Sequence, residues 1–310
     1  MKYLKPSFAG FILILILSAC DFRGKSNQEN VISTSNPLSS QTATIVDSYQ
    51  FSTPSPQPTS VSSATPLPPS PTPLLCVPTT GHIEELQLKT KFLANPLDYR
   101  VYIPPCYESN PDQRYPVLYL IHGYGYNDDQ WVRLGIGDIS DKLIIEEEIP
   151  PLIIVMPHDS DHNVQPPTNQ FGNAVLFDLV QEIDTTYRTL PFRQYRAIGG
   201  LSRGGNWAIH IGLSHSEYFG IIGAHSAPLF VTEGPPVVKA WLDEIRSTDY
   251  PHIYMDVGDH DKWLEEIVQF EEILDEYNVP HEFYIFPGNH TEDYWKSHTE
   301  QYIRWYTKEW

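Results

Sequence analysis

Cysteine is scarce in this chain, with three residues among 310. They stand at Cys20, Cys76 and Cys106, and none belongs to a Cys-x-x-Cys pair or to a Cys/His spacing typical of zinc sites. The sequence therefore gives no reason to expect a bound zinc ion.

Basic residues are also few, with 20 Lys and Arg against 39 Asp and Glu and a formal net charge of −19. A surface of this sign repels phosphate backbones. Nucleic acid is therefore not an expected partner.

No apolar run is long enough to cross a bilayer, which takes about 20 residues. The longest run, at 11–17, follows Lys2 and Lys5 and precedes Leu-Ser-Ala-Cys20. This layout is typical of a cleaved secretory signal, with an uncleaved anchor as the alternative. The tetrapeptide resembles the lipobox of bacterial lipoproteins, whose cysteine carries lipid. We therefore expect residues 1–20 to be a signal peptide, Cys20 to be lipidated, and the protein to be exported and anchored at the cell surface or in the periplasm.

Residues 21–75 are rich in Ser, Thr, Pro, Gln and Asn and poor in large apolar side chains. Such a segment cannot bury enough apolar surface to fold, so it is predicted to be a disordered, extended spacer. With Cys20 lipidated, Cys76 and Cys106 are the remaining thiols in an oxidising compartment. That setting favours a disulfide pinning the first strand, with two free thiols as the alternative.

The rest of the chain, 76–310, alternates strand and helix patterns. Segments 83–89 and 99–103 alternate apolar and polar residues, as an antiparallel pair does, whereas 117–121 and 152–156 are continuous apolar runs typical of buried parallel strands. Further strands are predicted at 195–198, 220–224, 252–257 and 282–286, and helices over 176–187, 205–213, 263–277 and 294–306. This order predicts one α/β domain with a mostly parallel central sheet, antiparallel strands at its start, and helices on both faces.

The pentapeptide at 200–204 (GLSRG) matches G-x-S-x-G and lies between a predicted buried strand and a predicted helix. This context is that of the nucleophile elbow of the α/β-hydrolase fold, where serine takes a strained conformation and glycines avoid clashes. Ser202 is therefore the predicted nucleophile. A glycine-rich packing turn is the structural alternative.

A serine nucleophile needs a histidine base that is oriented by a carboxylate, in the chain order Ser, acid, His in this fold. His290 follows the strand predicted at 282–286 and is the expected base. The loop after the strand at 252–257 holds both Asp259 and Asp261. We favour Asp261, although the order of the triad does not decide between them. Three other histidines are poorer candidates for the base, because they lie before a strand, within a helix or in the acid loop: His281, His298 and His260.

The loop after the strand at 117–121 reads His122-Gly123-Tyr124-Gly125. In this fold the loop at this place supplies one backbone N–H to the oxyanion hole, and the residue after the nucleophile supplies the other. We therefore expect Tyr124 and Arg203 to be the two donors. A structural turn is the alternative for the loop.

This chain resembles the esterase D-like family over essentially all of residues 81–310. The resemblance rests on these segments: 100–107 (RVYIPPCY), 115–123 (YPVLYLIHG), 200–205 (GLSRGG), 258–261 (GDHD) and 288–290 (GNH) with Trp295. The family includes feruloyl, acetyl-xylan and enterochelin esterases, S-formylglutathione hydrolases and mycolyltransferases. The resemblance implies an α/β-hydrolase fold and Asp261 at the position of the acid.

The chain departs from the family pattern at two positions. Cys106 stands where glycine is common, which supports the disulfide. Arg203 stands where an apolar residue is frequent, which changes the polarity expected near the acyl pocket. We expect that pocket to be lined by His122, Gly123 and Trp295.

Two further groups of residues were considered, one as a metal site and one as the lining of a cleft. The segment 158–162 (HDSDH) looks like a metal cluster, but its residues are consecutive in a loop rather than spaced to converge, so no metal is predicted. Four tryptophans could line a cleft, although burial in the core is the default for at least half of them: Trp131, Trp207, Trp241 and Trp295. The turn at 225–228 (HSAP) is expected to border the site.

The resulting hypothesis is an exported serine ester hydrolase that needs no cofactor, acts through an acyl-enzyme, and takes feruloyl- or acetyl-type esters of extracellular polymers. Its expected partners are the ester and, through Cys20, a membrane. The alternatives are an acyltransferase to a sugar hydroxyl and a non-catalytic surface-binding lipoprotein. The sequence predicts no oligomeric state.

Overall fold

The computed structural model describes residues 80–310, which lie within the compact unit Pro68–Trp310. The predicted signal peptide at 1–20 with Cys20, the spacer at 21–75, and Cys76 lie outside the described residues. They stay predictions, as does the disulfide of Cys76 with Cys106. Within residues 80–310, no helix has both the length and the apolar character that crossing a bilayer requires.

Eight strands form one sheet in the order β1-β2-β4-β3-β5-β6-β7-β8. Strand β2 pairs antiparallel with both β1 and β4, and every other neighbouring pair is parallel. The strands are β1 His82–Leu88, β2 Leu97–Ile103, β3 Val117–Ile121, β4 Ile153–Pro157, β5 Arg196–Leu201, β6 Ile221–His225, β7 His252–Gly258 and β8 His281–Phe286. This confirms a mostly parallel sheet with antiparallel strands at its start.

Helices follow the parallel strands. The α-helices are α1 Gln130–Arg133, α2 Ile136–Ile145, α3 Phe171–Ala174, α4 Val180–Thr186, α5 Arg203–Ser214, α6 Pro235–Glu244, α7 Leu264–Glu276 and α8 Glu292–Thr307. A π-helical turn, Val175–Leu179, joins α3 to α4, and short 3-10 helices span Tyr107–Ser109, Arg193–Tyr195 and Ser247–Asp249.

The sheet has a hydrophobic core on each face, because successive side chains of a strand point to opposite sides. In β3, Val117 and Tyr119 join the core formed with α5, α6 and α7, whereas Leu118 and Leu120 join the core formed with α2 and α8. Strands buried on both faces must be apolar throughout, which explains the continuous apolar runs of β3 and β4.

Burial falls from the centre of the sheet toward one edge. All six residues of β5 are buried, whereas β8, the last strand, contains none that is fully buried. Tyr284 and Ile285 of β8 are 39% and 50% exposed. The sheet therefore places β5 in the interior and leaves β8 partly open to solvent.

The sequence patterns locate every strand to within three residues at each end, but they miss three helices. Helices α1 and α2 between β3 and β4 and helix α6 after β6 were not predicted. The signal for α6 is present, since Pro235 and Pro236 occupy its first turn, where proline needs no N–H partner. The helix predicted over 176–187 begins earlier, at Phe171, and is interrupted by the π turn.

Tyr306 of α8 leaves no room for a side chain on the two central strands beneath it. A Cβ atom on Gly223 of β6 would lie 1.8 Å from the Tyr306 hydroxyl oxygen, and one on Gly199 of β5 would lie 1.7 Å from it. We expect Gly223→Ala to lower the free energy of unfolding by about 2 kcal/mol or more, because the fully buried Tyr306 ring cannot move aside without repacking. Urea denaturation followed by tryptophan fluorescence measures the change.

The matched control is Gly137→Ala in α2, where the nearest side-chain atoms would lie 3.6 and 3.8 Å from the new Cβ. There, alanine should stabilise the helix by roughly 0.5–1 kcal/mol. Equal unfolding free energies for the two variants would contradict the steric account.

Candidate active site

Ser202 occupies a sharp turn between β5 and α5. Its backbone has φ 52° and ψ −121°, a conformation that costs energy for any residue but glycine. A Cβ atom on Gly200 would lie 2.3 Å from the Gly204 carbonyl carbon, and one on Gly204 would lie 2.0 Å from the Ile121 carbonyl oxygen. Glycine is therefore required on both sides of the turn, as the elbow prediction assumed.

His290 connects Ser202 to Asp261 through two hydrogen bonds. Its Nε2 lies 2.8 Å from Ser202 Oγ and its Nδ1 lies 2.8 Å from Asp261 Oδ2. Because a carboxylate accepts, Nδ1 carries the proton, which leaves the Nε2 lone pair free to accept from the Ser202 hydroxyl. The three predicted residues are thus brought into one hydrogen-bonded series.

Asp261 is held as a carboxylate. Burial raises the pKa of its carboxyl group, but hydrogen bonds from His290 and from the backbone N–H of Trp263 outweigh that effect, so its pKa lies below the usual value. A charged acceptor at this position keeps the imidazole of His290 in one orientation and one tautomer.

Asp259 has a different role, and the structure separates the two candidate acids. Asp259 Oδ1 accepts from the backbone N–H of Gly288 at 2.9 Å and lies 2.7 Å from Nδ1 of His260. These contacts lower the pKa of Asp259, the Gly288 bond most of all. Asp259 thus ties together the two loops that follow β7 and β8, while Asp261 contacts His290.

The other candidate histidines are engaged elsewhere. His260 is exposed beside Asp259, His281 Nδ1 donates to the Val279 carbonyl before β8, and His298 Nδ1 donates to the Tyr294 carbonyl within α8. Of the four histidines considered, His290 is the one in contact with Ser202.

The expected oxyanion donors flank Ser202 from two elements. Arg203 is the first residue of α5, so its N–H has no acceptor within the helix and lies at the positive end of the helix dipole. Tyr124 lines the same cleft as Ser202 from the loop after β3. The N–H of the neighbouring Gly123 is already used, since it donates to Gln130 Oε1 at 2.8 Å.

His122 does not line the pocket, in contrast to the prediction. It is 2% exposed and lies behind the loop, where its Nδ1–H donates to the Gly123 carbonyl at 2.8 Å and its Nε2 accepts from the Asp159 N–H at 3.0 Å. Burial lowers the pKa of His122 to about 4, so the ring is neutral at physiological pH. Gly123 and Trp295 do line the cleft.

The cleft above Ser202 has a volume of about 540 Å³. Four polar side-chain atoms of its wall are buried and have no hydrogen-bond partner within residues 80–310: His162 Nδ1, Gln165 Oε1, Asn206 Oδ1 and Trp295 Nε1. Buried polar atoms normally have partners, so this part of the wall is unusual within the described residues.

Sequence reasoning missed several residues of the cleft. Asn206 lies one helical turn after Ser202, a spacing that could have identified it. Leu229, Phe230, Lys262 and Trp263 lie on loops after β6 and β7, and no pattern in the sequence marks them as part of the site.

Of the four tryptophans considered, Trp295 alone reaches the cleft, where its ring packs edge-on against His290 with centroids 5.0 Å apart. Trp131 and Trp207 are fully buried, and Trp241 packs against the core. The turn at 225–228 borders the site as expected, with Pro228 in the cleft wall.

The segment 158–162 is organised around Asp159, whose carboxylate is occupied by protein donors rather than open to a metal. It accepts from Arg203 Nε and Trp207 Nε1 at 2.8 Å each, and from Asn169 Nδ2 at 3.2 Å. Elsewhere in the described chain, ligating atoms of three side chains approach within 4.8 Å of one another at the start of β8, the sheet end away from Ser202: Glu271, Asp275 and His281.

Comparison with known proteins identifies the family. The Esterase family, described as "Putative esterase", matches residues 91–305. The chain belongs to this esterase family. The resemblance to esterase D-like proteins is thereby confirmed.

Individual relatives agree with that assignment. An endo-1,4-beta-xylanase/feruloyl esterase of Xylanibacter ruminicola is 30% identical over 172 residues, which are 51% of this chain and 24% of that protein. A solved ferulic acid esterase has a TM-score of 0.67 and 26% identity over 75% of this chain and 100% of its own. The S-formylglutathione hydrolase of Staphylococcus aureus, at 19% identity, covers 74% of this chain and 99% of its own with a TM-score of 0.61. The last shares the fold, and together these structures confirm the α/β-hydrolase fold.

The buried neutral state of His122 predicts a pH dependence of stability. In the unfolded chain this histidine binds a proton below about pH 6.5, whereas in the folded protein it does so only near pH 4. The unfolded state therefore holds more protons between these values, and stability falls as the pH falls, by at most about 3 kcal/mol for this group. We expect His122→Gln to reduce that acid-side loss, as measured by urea unfolding at pH 4.5 and 7.

The exposed His82 supplies the control, since its side chain is 58% exposed and His82→Gln should leave the pH dependence as it is in the wild type. An identical slope in the wild type and in His122→Gln would contradict the lowered pKa, because His122 would then bind protons equally in the folded and unfolded states.

Proposed function

We propose that this protein is a serine ester hydrolase in which Ser202 is the nucleophile, His290 the base and Asp261 the orienting acid. The observation that carries the proposal is the hydrogen-bonded series Ser202–His290–Asp261, with both bonds at 2.8 Å, at the base of a cleft. Membership of an esterase family gives this arrangement its reaction class.

The reaction follows from the positions of the protons. Ser202 Oγ attacks the ester carbonyl carbon while its proton passes to Nε2 of His290, and Asp261 stabilises the imidazolium that forms. The oxyanion accepts from the backbone N–H groups of Arg203 and Tyr124. His290 returns the proton to the leaving alcohol, and the acyl group remains on Ser202. A water molecule, deprotonated by His290, then releases the carboxylic acid and regenerates the serine. No step requires a metal or an organic cofactor.

We propose feruloyl- or acetyl-type esters of extracellular polymers as substrates. Two of the relatives described above carry the name feruloyl or ferulic acid esterase, and one of these is also a xylanase. The cleft presents aromatic and apolar surface from Phe230, Trp263 and Trp295, which suits an aromatic acyl group. A clear preference for a glutathione thioester over methyl ferulate would overturn this choice of substrate.

The triad is tested with three variants on methyl ferulate and nitrophenyl acetate. Ser202→Ala should lower kcat by roughly 10³-fold or more, and Asp261→Asn by a similar order, because each removes a member of one catalytic unit. Asp259→Asn should keep most of the activity, since Asp259 contacts loops rather than His290. Initial rates and circular dichroism separate lost chemistry from lost folding.

Ser247→Ala, at an exposed serine outside the cleft, is the matched control for the nucleophile. Wild-type rates in folded Ser202→Ala would rule out the proposed nucleophile. A larger loss of kcat in Asp259→Asn than in Asp261→Asn would assign the orienting acid to Asp259 instead.

We further propose that the protein is exported and anchored by lipid on Cys20, with residues 21–75 as a spacer and Cys76 paired with Cys106. The support is the basic, apolar and small-residue order of the first 20 residues and the composition of the spacer. This location suits polymer esters outside the cell.

Cys20→Ser should release the protein from the membrane fraction, because the residue that carries the lipid is gone. Cell fractionation and intact mass of the purified protein measure this. Cys76→Ser, outside the signal, is the control and should remain in the membrane fraction. Equal membrane association of Cys20→Ser and the wild type would refute the lipid anchor.

A further inference from the structure

Arg203, next to the nucleophile, has its side chain turned away from solvent. It is 7% exposed, and its guanidinium donates to the Asp159 carboxylate at 2.8 Å and to the Val164 and Asp161 carbonyls at 2.6 and 3.3 Å. A buried cation is costly unless it is paired and hydrogen-bonded, and here all three hydrogen bonds go to one loop, 158–170, while the rings of Trp207 and Phe230 flank the guanidinium. The residue after the nucleophile therefore holds a loop that follows β4.

That loop forms part of the cleft wall. His162 and Gln165 line the cleft, and each has a buried polar atom without a partner in the described residues. Asn169 cross-links the loop internally, since its Nδ2 donates to the Asp159 carboxylate and to the Asp161 and Val164 carbonyls. The loop is thus shaped around the same carboxylate that pairs with Arg203.

Asp159 also reaches the other half of the oxyanion site. Its backbone N–H donates to His122 Nε2, and His122 Nδ1–H donates to the carbonyl of Gly123, the residue before Tyr124. An unbroken chain of buried contacts therefore runs from Arg203, through Asp159 and His122, to the loop that carries the second donor.

We infer that Asp159 is a positioning residue: it fixes the Arg203 and Tyr124 backbone donors relative to each other and holds His162 and Gln165 in the cleft wall. The inference rests on the proposed function, because it assigns the spacing of the oxyanion donors to a residue that touches neither substrate nor Ser202. Donors that are displaced by a fraction of an ångström stabilise the oxyanion less, so the effect falls on kcat.

The test compares Asp159→Asn with Asp184→Asn. Asp184 pairs with Arg196 at 2.7 Å, and both arginine side chains are 7% exposed, but Arg196 begins β5 whereas Arg203 follows its end. Both variants leave a buried guanidinium without its carboxylate, so both should lower the unfolding temperature. Only Asp159→Asn should lower kcat on methyl ferulate, by about tenfold to a hundredfold, with Asp184→Asn within about twofold of the wild type.

The pH profile separates positioning from damage to the triad. In folded Asp159→Asn the pH at which kcat falls to half should match that of the wild type, because His290 and Asp261 are untouched. A folded Asp159→Asn variant with the kcat of the wild type would overturn the inference. An equal fall in kcat for both would also overturn it, since that result would assign the loss to general destabilisation.

A double variant covers the case in which Asp159→Asn fails to fold. Asp159→Asn combined with Arg203→Met leaves no buried charge without its partner, which limits the loss of stability, and retains the backbone N–H of residue 203. It should fold with the reduced kcat, and wild-type kcat in this protein would refute the inference. Failure of the proposed function looks different: in that case the wild type itself would hydrolyse no ester in a Ser202-dependent manner.

Discussion

One steric constraint organises the site: the first turn of α5 packs directly against the carbonyl end of β3. A Cβ atom on Gly204 would lie 2.0 Å from the Ile121 carbonyl oxygen and 2.6 Å from that of His122. Because these backbones are in contact, the residue after the nucleophile and the loop after β3 approach the same point. The two N–H donors proposed for the oxyanion, on Arg203 and Tyr124, therefore belong to elements that are in contact, while Ser202 takes a strained conformation.

A second buried network supports the elbow from the neighbouring strand. The Ser202 N–H donates to the His225 carbonyl at 2.8 Å, so this amide is occupied. The His225 ring is fixed in turn by Asp256, which also accepts from Tyr294 and Tyr302 of α8 at 2.6 and 2.8 Å. The side chains of His225, Asp256, Tyr294 and Tyr302 are all buried, and a hydrogen-bonded polar network of this kind favours a single arrangement. Helix α8 is thus linked to Ser202 through Asp256 and His225, and the loop before α8 carries His290.

The fold could be predicted because its strands are buried on both faces and therefore read as apolar runs, and because the elbow needs glycines at fixed positions. The contact of His290 with Ser202 could be predicted from strand order alone. The choice between Asp259 and Asp261 could not be predicted in this way, since both follow β7. Only their contacts show that Asp259 joins two loops and that Asp261 is the partner of His290. The position of the His122 side chain could not be predicted either, because a His-Gly pair does not determine the orientation of the imidazole ring. The loop residues of the cleft, such as Phe230 and Lys262, depend on chain paths that no periodicity encodes.

Ser202 and His290, the proposed nucleophile and base, come from parts of the sheet that differ in depth. Ser202 follows β5, whose residues are all buried, whereas His290 follows β8, whose outer residues are half open to water. Elements with little buried surface open locally at a smaller free-energy cost than the interior. Local opening of β8 would withdraw His290 while Ser202 stayed in place. We therefore expect interactions that hold β8 to the sheet to protect activity more than further packing of the centre.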